Sequence, residues 1–152
     1  MIGGVNKKDI LGSEFIQSYD HRAGEWQLLP KPSYGYSGAA CCALNGKIYV
    51  SGGLNNDLKA EVYQPIAGKW EKMKPMNRKL ESHRMVSYAN MVYAMGGYIR
   101  TNNKCSKNLS VDVYDPASDS WVSSTVLAEA FKRIDATPTC IAEAIVFKSV
   151  NK

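Results

Sequence analysis

Three copies of one pattern constrain the fold of this 152-residue chain more than any other feature of its sequence. Each copy has a glycine pair, then a loop, then a tyrosine that is followed by a tryptophan seven residues later. The three sets are Gly3, Gly4, Tyr19 and Trp26; Gly52, Gly53, Tyr63 and Trp70; and Gly96, Gly97, Tyr114 and Trp121. They include every tryptophan of the chain. Self-similarity on this scale indicates a repeat architecture.

The length of the repeat indicates its type. Successive tryptophans lie 44 and 51 residues apart, which is longer than a helical-pair repeat and typical of a four-stranded propeller blade. The gap from the glycine pair to the tyrosine varies between 10 and 17 residues, whereas the gap from tyrosine to tryptophan stays at seven. The fixed gap indicates a structural turn, and the variable gap indicates an exposed loop.

Short segments around these positions are typical of β-strands. Residues 47–51 and 91–95 are apolar runs that end at a glycine pair, and they predict buried strands. The small residues of 37–44 predict the preceding, innermost strand, because Asn45-Gly46 favours a type I′ hairpin turn. Segments 60–63 and 110–114 alternate polar with apolar residues, as half-buried strands do. The expected fold is therefore all-β, with packing roles for the repeated glycines and aromatic residues.

The run VDVYDPASDSW at 111–121, with Ile-Tyr-Val-x-Gly-Gly in the second copy, resembles the kelch repeat. The resemblance is greatest to the kelch-like group, in which BTB and BACK domains precede a propeller that captures substrates for a cullin-based ubiquitin ligase. It implies a partial kelch β-propeller over 1–124, made of about three four-stranded antiparallel blades. The expected blades are a partial one at 1–29, then 37–73 and 84–124.

Residues 125–152 lack the repeat pattern, and we expect an atypical C-terminal tail there. Segment 126–134 predicts a short helix, and 140–147 fits either a strand or a helix. Propellers close with about four to eight blades. We therefore expect the chain to be part of a larger protein or a truncated isoform, to reach a cullin only through domains that it lacks, and to self-associate through unclosed blade faces.

The composition is ordinary for a folded domain, with 45% hydrophobic and 22% charged residues. No apolar run approaches a membrane span of ~18 residues, and no signal peptide is evident, so a cytoplasmic location is expected. The four cysteines have no spacing typical of zinc or of a disulfide framework. Cys41 and Cys42 fit a strand as core-facing residues. Cys105 lies in a loop near two lysines, and it is either an unremarkable exposed thiol or a sensor of electrophiles or of redox state.

Catalysis is not expected, because the two histidines lie far apart and no catalytic or phosphate-binding motif is present. The enzymes among kelch-repeat proteins, copper radical oxidases and a sugar mutarotase, are the alternative. We expect no cofactor and no metal.

The net charge of +5 is modest, so its distribution is more informative than its sum. Residues 69–84 hold six basic and two acidic side chains, and the loop after Gly97 adds four aromatic or basic residues. By the blade pattern both loops open on one rim. The expected partner-binding residues there are Tyr34, Tyr36, Arg78, Lys79, His83, Arg84, Tyr98, Arg100, Lys104 and Lys107. The alternative is that they are solvated loop residues.

Arginine and tyrosine are enriched at binding hot spots, and a positive rim favours an acidic partner segment. Nucleic acid is a weaker alternative, because acidic residues interrupt the basic run and no recognition motif accompanies it. The sequence thus predicts a protein-protein interaction module. By resemblance it is the substrate-recognition part of a cullin-based ligase adaptor; the alternatives are a cytoskeletal, actin-type or scaffolding kelch protein, or a truncated isoform without ligase activity.

Overall fold

The structure is a computed structural model that describes residues 16–54, 58–101, 104–126, 137–141 and 144–148. Over these residues it contains strands and turns but no helix. The strands are β1 (Ile16–Asp20), β2 (Glu25–Leu29), β3 (Ala40–Leu44), β4 (Lys47–Ser51), β5 (Ala60–Gln64), β6 (Lys69–Lys72), β7 (Leu80–Glu81), β8 (Arg84–Tyr88), β9 (Met91–Met95), β10 (Tyr98–Thr101), β11 (Lys104–Lys107), β12 (Ser110–Asp115), β13 (Ser120–Val126), β14 (Thr137–Ile141) and β15 (Ala144–Lys148).

Two antiparallel four-stranded sheets form the centre of the described structure. The first has the order β3-β4-β5-β6, and the second has the order β8-β9-β12-β13. Strand β3 lies beside β8, so the innermost strands of the two sheets are neighbours. The predicted all-β fold of antiparallel four-stranded blades is confirmed, and the described sheets do not close into a ring.

The hairpin turn predicted at Asn45-Gly46 joins β3 to β4. Its two central residues have φ values of 50° and 72°, the left-handed conformation that a type I′ turn requires. The equivalent turn between β8 and β9 has Ala89 and Asn90 at 47° and 61°. The same turn therefore forms in the third repeat without glycine.

The constant spacing from tyrosine to tryptophan has a simple structural cause. The two residues are directly opposite each other on neighbouring strands, as Tyr63 and Trp70 are on β5 and β6, with ring centroids 5.0 Å apart. Tyr114 and Trp121 repeat this pair at 5.0 Å on β12 and β13. Because the two residues are paired across the turn that joins the two strands, the length of that turn fixes the gap of seven residues between tyrosine and tryptophan.

The second glycine of each described pair lies against the segment that leads into an innermost strand. A Cβ atom on Gly53 would lie 2.5 Å from the carbonyl oxygen of Ser37, and one on Gly97 would lie 2.4 Å from that of Glu81. Both distances are shorter than any side chain tolerates, so these positions require glycine. The pair Gly3-Gly4 lies outside the described residues.

The hydrophobic core fills the space between the two four-stranded sheets. Its buried members are Ala40, Tyr49, Ala60, Val62, Met73, Met76, Leu80, Met85, Val92, Ala94, Tyr114 and Trp121. Cys42 packs against this core, but Cys41 is exposed, in contrast to the prediction that both face inward. Adjacent residues of a strand point to opposite faces, so one cysteine must point away from the core.

The C-terminal segment contains a two-stranded hairpin in place of the single element predicted for 140–147. Strands β14 and β15 pair with Ile141 opposite Ala144, so that segment ends one strand and contains most of the next. β14 lies beside β8. Residues 127–136, where most of the short helix was predicted, lie outside the described structure.

Candidate protein interface

Two loops from separate parts of the sequence pair to form one small sheet at a rim of the molecule. β7 belongs to the segment between β6 and β8, whereas β10 and β11 form a hairpin within the long loop that follows Gly97. β10 pairs with both, placing Tyr98 opposite Glu81 on one side and opposite Lys107 on the other. The segments 79–84, 98–101 and 104–107, here called the loop rim, are thus neighbours, as the basic loops were expected to be.

The faces of this sheet differ in burial. Leu80 is 1% exposed, and Ile99, directly opposite it, packs partly buried against the hydrophobic core. This face is directed inward. Tyr98, which is 36% exposed, and the exposed Lys107 are on the opposite face, which also carries the buried Glu81.

Five of the residues predicted for partner binding are exposed on the loop rim. They are Lys79, Arg84, Tyr98, Lys104 and Lys107. The Nη1 group of Arg84 donates to the carbonyl oxygen of His83 over 3.3 Å. Arg100 is opposite Cys105 in the β10–β11 pair, while its side chain is outside the part of the chain that the structure describes.

Tyr36 is not a surface residue, in contrast to the prediction. It is 1% exposed, and its hydroxyl group donates to Oε2 of the fully buried Glu61 over 2.9 Å. The backbone N–H of Ser33 donates to Oε1 of the same carboxylate over 3.1 Å. Burial, and next the charge of Glu61, raise the pKa of Tyr36 above its usual range. Its role is to anchor the segment before β3 to β5.

His83 is also buried, with no exposed surface, so it cannot contact a partner as predicted. Its Nε2 atom lies 3.1 Å from the hydroxyl oxygen of Ser51, and none of the described atoms hydrogen-bonds its Nδ1. Burial lowers the pKa of His83 to about 4, and the charge of Arg84 adds to this effect. The imidazole is therefore neutral at physiological pH and belongs to the packing between repeats.

Arg78 and Tyr34 occupy intermediate positions. The side chain of Arg78 is 25% exposed, and its Nε lies 3.1 Å from Oδ2 of the buried Asp112. That Nε–H is not directed at Oδ2, so the contact is an ion pair without a hydrogen bond. Tyr34 is half-buried, with the ammonium group of Lys59 4.4 Å from its ring centroid. Both side chains are partly engaged within the protein.

The sequence prediction missed Glu61 and Asp112, which hold the linking segments in place. Each is fully buried and precedes its repeat tyrosine by two residues. The carboxylate of Asp112 also accepts a hydrogen bond from the hydroxyl group of Ser123 over 2.6 Å. An acidic residue at this same position of two repeats was a signal in the sequence that could have identified them, although the first copy has Gln17 there.

Cys105 is exposed in β11, and its thiol donates to Oε1 of Glu81 over 3.9 Å. Both interpretations of this thiol remain predictions, an unremarkable exposed cysteine and, as the alternative, a sensor of electrophiles or of redox state. Among the described residues, no three histidine, cysteine or acidic side chains come together as a metal site. The same residues contain no helix that is long and apolar enough to cross a membrane.

Comparison with known proteins identifies the repeat. The family model of the kelch motif matches residues 35–77. The solved structure of YjhT superimposes with a TM-score of 0.66 at 14% sequence identity, over 82% of this chain and 48% of that one. This likeness shows a shared fold.

Sequence relatives cover most of the chain. Kelch-like protein 35 of Mus musculus is 32% identical over 139 residues, which are 91% of this chain and 24% of the relative. The Homo sapiens protein of that name is 30% identical over 131 residues, covering 86% and 22%. Kelch-like protein 26 of Danio rerio is 30% identical over 128 residues, covering 80% and 20%. The chain spans about a quarter of these relatives, contains kelch repeats and is a partial kelch domain most like that of kelch-like proteins.

Proposed function

We propose that this chain binds a protein partner through the loop rim and acts by recognition alone, without catalysis. The observation that supports this proposal is the pairing of β7 with β10, which places two basic loops side by side. Exposed lysine and arginine side chains and the partly exposed ring of Tyr98 then lie close together on the loop rim. Charge complementarity favours an acidic partner segment.

The finer proposal is that the captured partner is a substrate for a cullin-based ubiquitin ligase in the cytoplasm. It is supported by the sequence similarity to kelch-like proteins, and it assigns the binding of substrate, but not of the cullin, to the loop rim. A partner that is captured but never ubiquitinated indicates instead a scaffolding or cytoskeletal role.

Charge reversal tests the proposal. We expect the double variant Arg84→Glu and Lys104→Glu to lose partner capture in cells, because both side chains are exposed on the loop rim. Arg22→Glu is the matched control, since Arg22 is exposed at the turn between β1 and β2. Partners should be compared by quantitative affinity capture.

The same variants separate recognition from ligation. We expect the double variant to lower ubiquitination of the partner while leaving co-purification of a cullin unchanged. If the double variant and Arg22→Glu capture the same partners in equal amounts, the loop rim is not the binding surface.

A further inference from the structure

We propose that β11 holds the partner by β-strand addition, taking an extended acidic segment as the next strand of the β7-β10-β11 sheet. This inference rests on the proposed function and specifies how the loop rim binds. In this mode, main-chain hydrogen bonds provide affinity, and alternate side chains provide specificity.

The position of β11 supports this mode. β11 forms one edge of the three-stranded sheet, and all four of its residues are exposed. Edge strands present backbone N–H and C=O groups that are ready to pair with another strand. The hairpin that contains β11 lies in a gap of 17 residues between glycine pair and tyrosine, compared with 10 in the second repeat.

The register shows which backbone groups face the open side. The N–H of Asn108 donates to the carbonyl oxygen of Gly97 over 2.9 Å, so these two residues form a hydrogen-bonded pair. Pairs alternate along an antiparallel ladder between bonded and non-bonded. Arg100 and Cys105 are three pairs further along and are therefore a non-bonded pair. The backbone N–H and C=O of Cys105 accordingly point away from β10, toward the open edge.

The charges of β11 select the kind of strand that pairs with it. Lys104 and Lys107 are three residues apart, so they lie on opposite faces of the strand. A second β11 strand would bring two more lysines to this edge, and like charges on neighbouring strands are destabilising. An antiparallel partner with two acidic residues three positions apart instead places one carboxylate opposite each lysine.

Synthetic peptides test this spacing on the intact chain. The probe is a peptide of threonine and valine that contains two glutamates three positions apart, and the control has the same composition with the glutamates two positions apart. We expect the probe to bind about three- to tenfold more tightly, as a single additional favourable pair allows. Equal affinity for both peptides would contradict the proposed register.

Backbone variants test the strand pairing itself. Cys105→Pro removes the N–H that points to the open edge, and proline is tolerated on edge strands. We expect it to weaken probe binding about threefold to tenfold, whereas Cys105→Ser, which keeps the N–H, should bind like the original chain. As a test that leaves the protein unchanged, a probe that is N-methylated at the residue opposite Cys105 should bind more weakly by a similar factor.

Hydrogen exchange provides the direct readout, because the bound probe should slow exchange at the amide of Cys105. If charge reversal at Arg84 and Lys104 abolishes partner capture but neither Cys105→Pro nor N-methylation changes probe affinity, strand addition is wrong and the proposed function stands. If charge reversal also has no effect on capture, both proposals fail. A chain that dimerises through β11 at the concentrations used would equally overturn the inference.

Discussion

At the scale of single residues, the ion pair between Arg78 and Asp112 attaches the segment before β8 to β12. Asp112 is fully buried, whereas Arg78 reaches it from a position that is 25% exposed. Removing the cation from such a pair leaves a buried charge without compensation. We expect Arg78→Met to lower the free energy of unfolding by about 3 kcal/mol.

Urea denaturation of Arg78→Met, and of the double variant Arg78→Met with Asp112→Leu, measures this effect. The double variant should recover most of the lost stability, because apolar replacement of both partners leaves no buried charge. A loss below about 1 kcal/mol in the single variant would show that the pair is as weak as a surface ion pair.

Buried His83 predicts a dependence of stability on pH. Its pKa is about 4 in the folded chain, compared with 6.5 for the free side chain, so the unfolded state binds the proton more readily. The stability that depends on neutral His83 is fully present above pH 6.5 and is lost as the pH falls toward 4. The total loss in the free energy of unfolding is about 3 kcal/mol.

Unfolding free energies of the original chain, His83→Gln and His21→Gln, measured from pH 7 to pH 4, check this prediction. His21 is exposed and is the matched control. Only His83→Gln should flatten the profile in that window. Parallel profiles for all three proteins would mean that His83 is protonated as easily in the folded state as in the unfolded one.

Residue identity alone was a poor guide to exposure in the linking segments. Tyr36 was assigned to the surface because tyrosine is enriched at binding hot spots, and His83 because it lies in the basic segment 69–84, yet both are buried. Aligning the repeats was a better guide to burial. Tyr36 stands 44 residues before Leu80, which is also the distance between the first two tryptophans, so the two residues are at equivalent positions, and both are buried. Burial there depends on the approach of a neighbouring glycine pair, which is a tertiary contact.

At the scale of elements, the glycine pair between β9 and β10 allows two requirements for glycine to be compared: a positive φ and the lack of space for a Cβ atom. Both glycines have positive φ, 66° at Gly96 and 71° at Gly97, but a Cβ atom meets nothing within 4 Å at Gly96 and lies 2.4 Å from a carbonyl oxygen at Gly97. Gly96→Ala should therefore cost only the backbone strain of about 1 kcal/mol. Gly97→Ala should cost at least about 2 kcal/mol more, because it also displaces β7.

Thermal and urea unfolding of the two variants give the comparison. Equal losses at both positions would contradict the close contact between Gly97 and the segment before β8. Gly97→Ala should also weaken partner capture, since β7 positions the loop rim, whereas Gly96→Ala should not.

Most strands were predictable because their determinants are local. β4 and β9 have the predicted bounds of 47–51 and 91–95, since apolar runs, turn residues and a glycine pair all lie within a few positions. The hairpin of β10 and β11 was not predicted. Its sequence from Tyr98 to Lys107 is mostly polar and basic, and the strand on its other side, β7, comes from a different loop. The interface therefore depends on a long-range pairing that periodicity cannot show.

At the scale of the whole molecule, the innermost strands of successive units are neighbours. β3 lies beside β8, and β8 lies beside β14 in turn. The hairpin of β14 and β15 thus lies next to the innermost strand of the second four-stranded sheet. The lack of repeat residues in 125–152 does not prevent this placement.

Self-association remains a prediction at this scale, and β1 and β2 carry the surface that favours it. Tyr19, Trp26 and Leu28 are 52%, 58% and 68% exposed, while the equivalent pair of Tyr114 and Trp121 is buried. We expect the sedimentation coefficient to rise with concentration, and Leu28→Lys to reduce that rise. Ile66→Lys, in an exposed turn, is the control and should have no effect. A constant coefficient over the accessible concentrations would contradict the prediction.

The central claim is that the loop rim is the partner-binding surface of this kelch domain segment. Amide hydrogen exchange of the chain, with and without its captured partner, tests this claim most directly. We predict that protection on binding concentrates in residues 79–84, 98–101 and 104–107. Protection confined to the turns at 45–46, 65–68 and 89–90, with unchanged exchange in the loop rim, would contradict it.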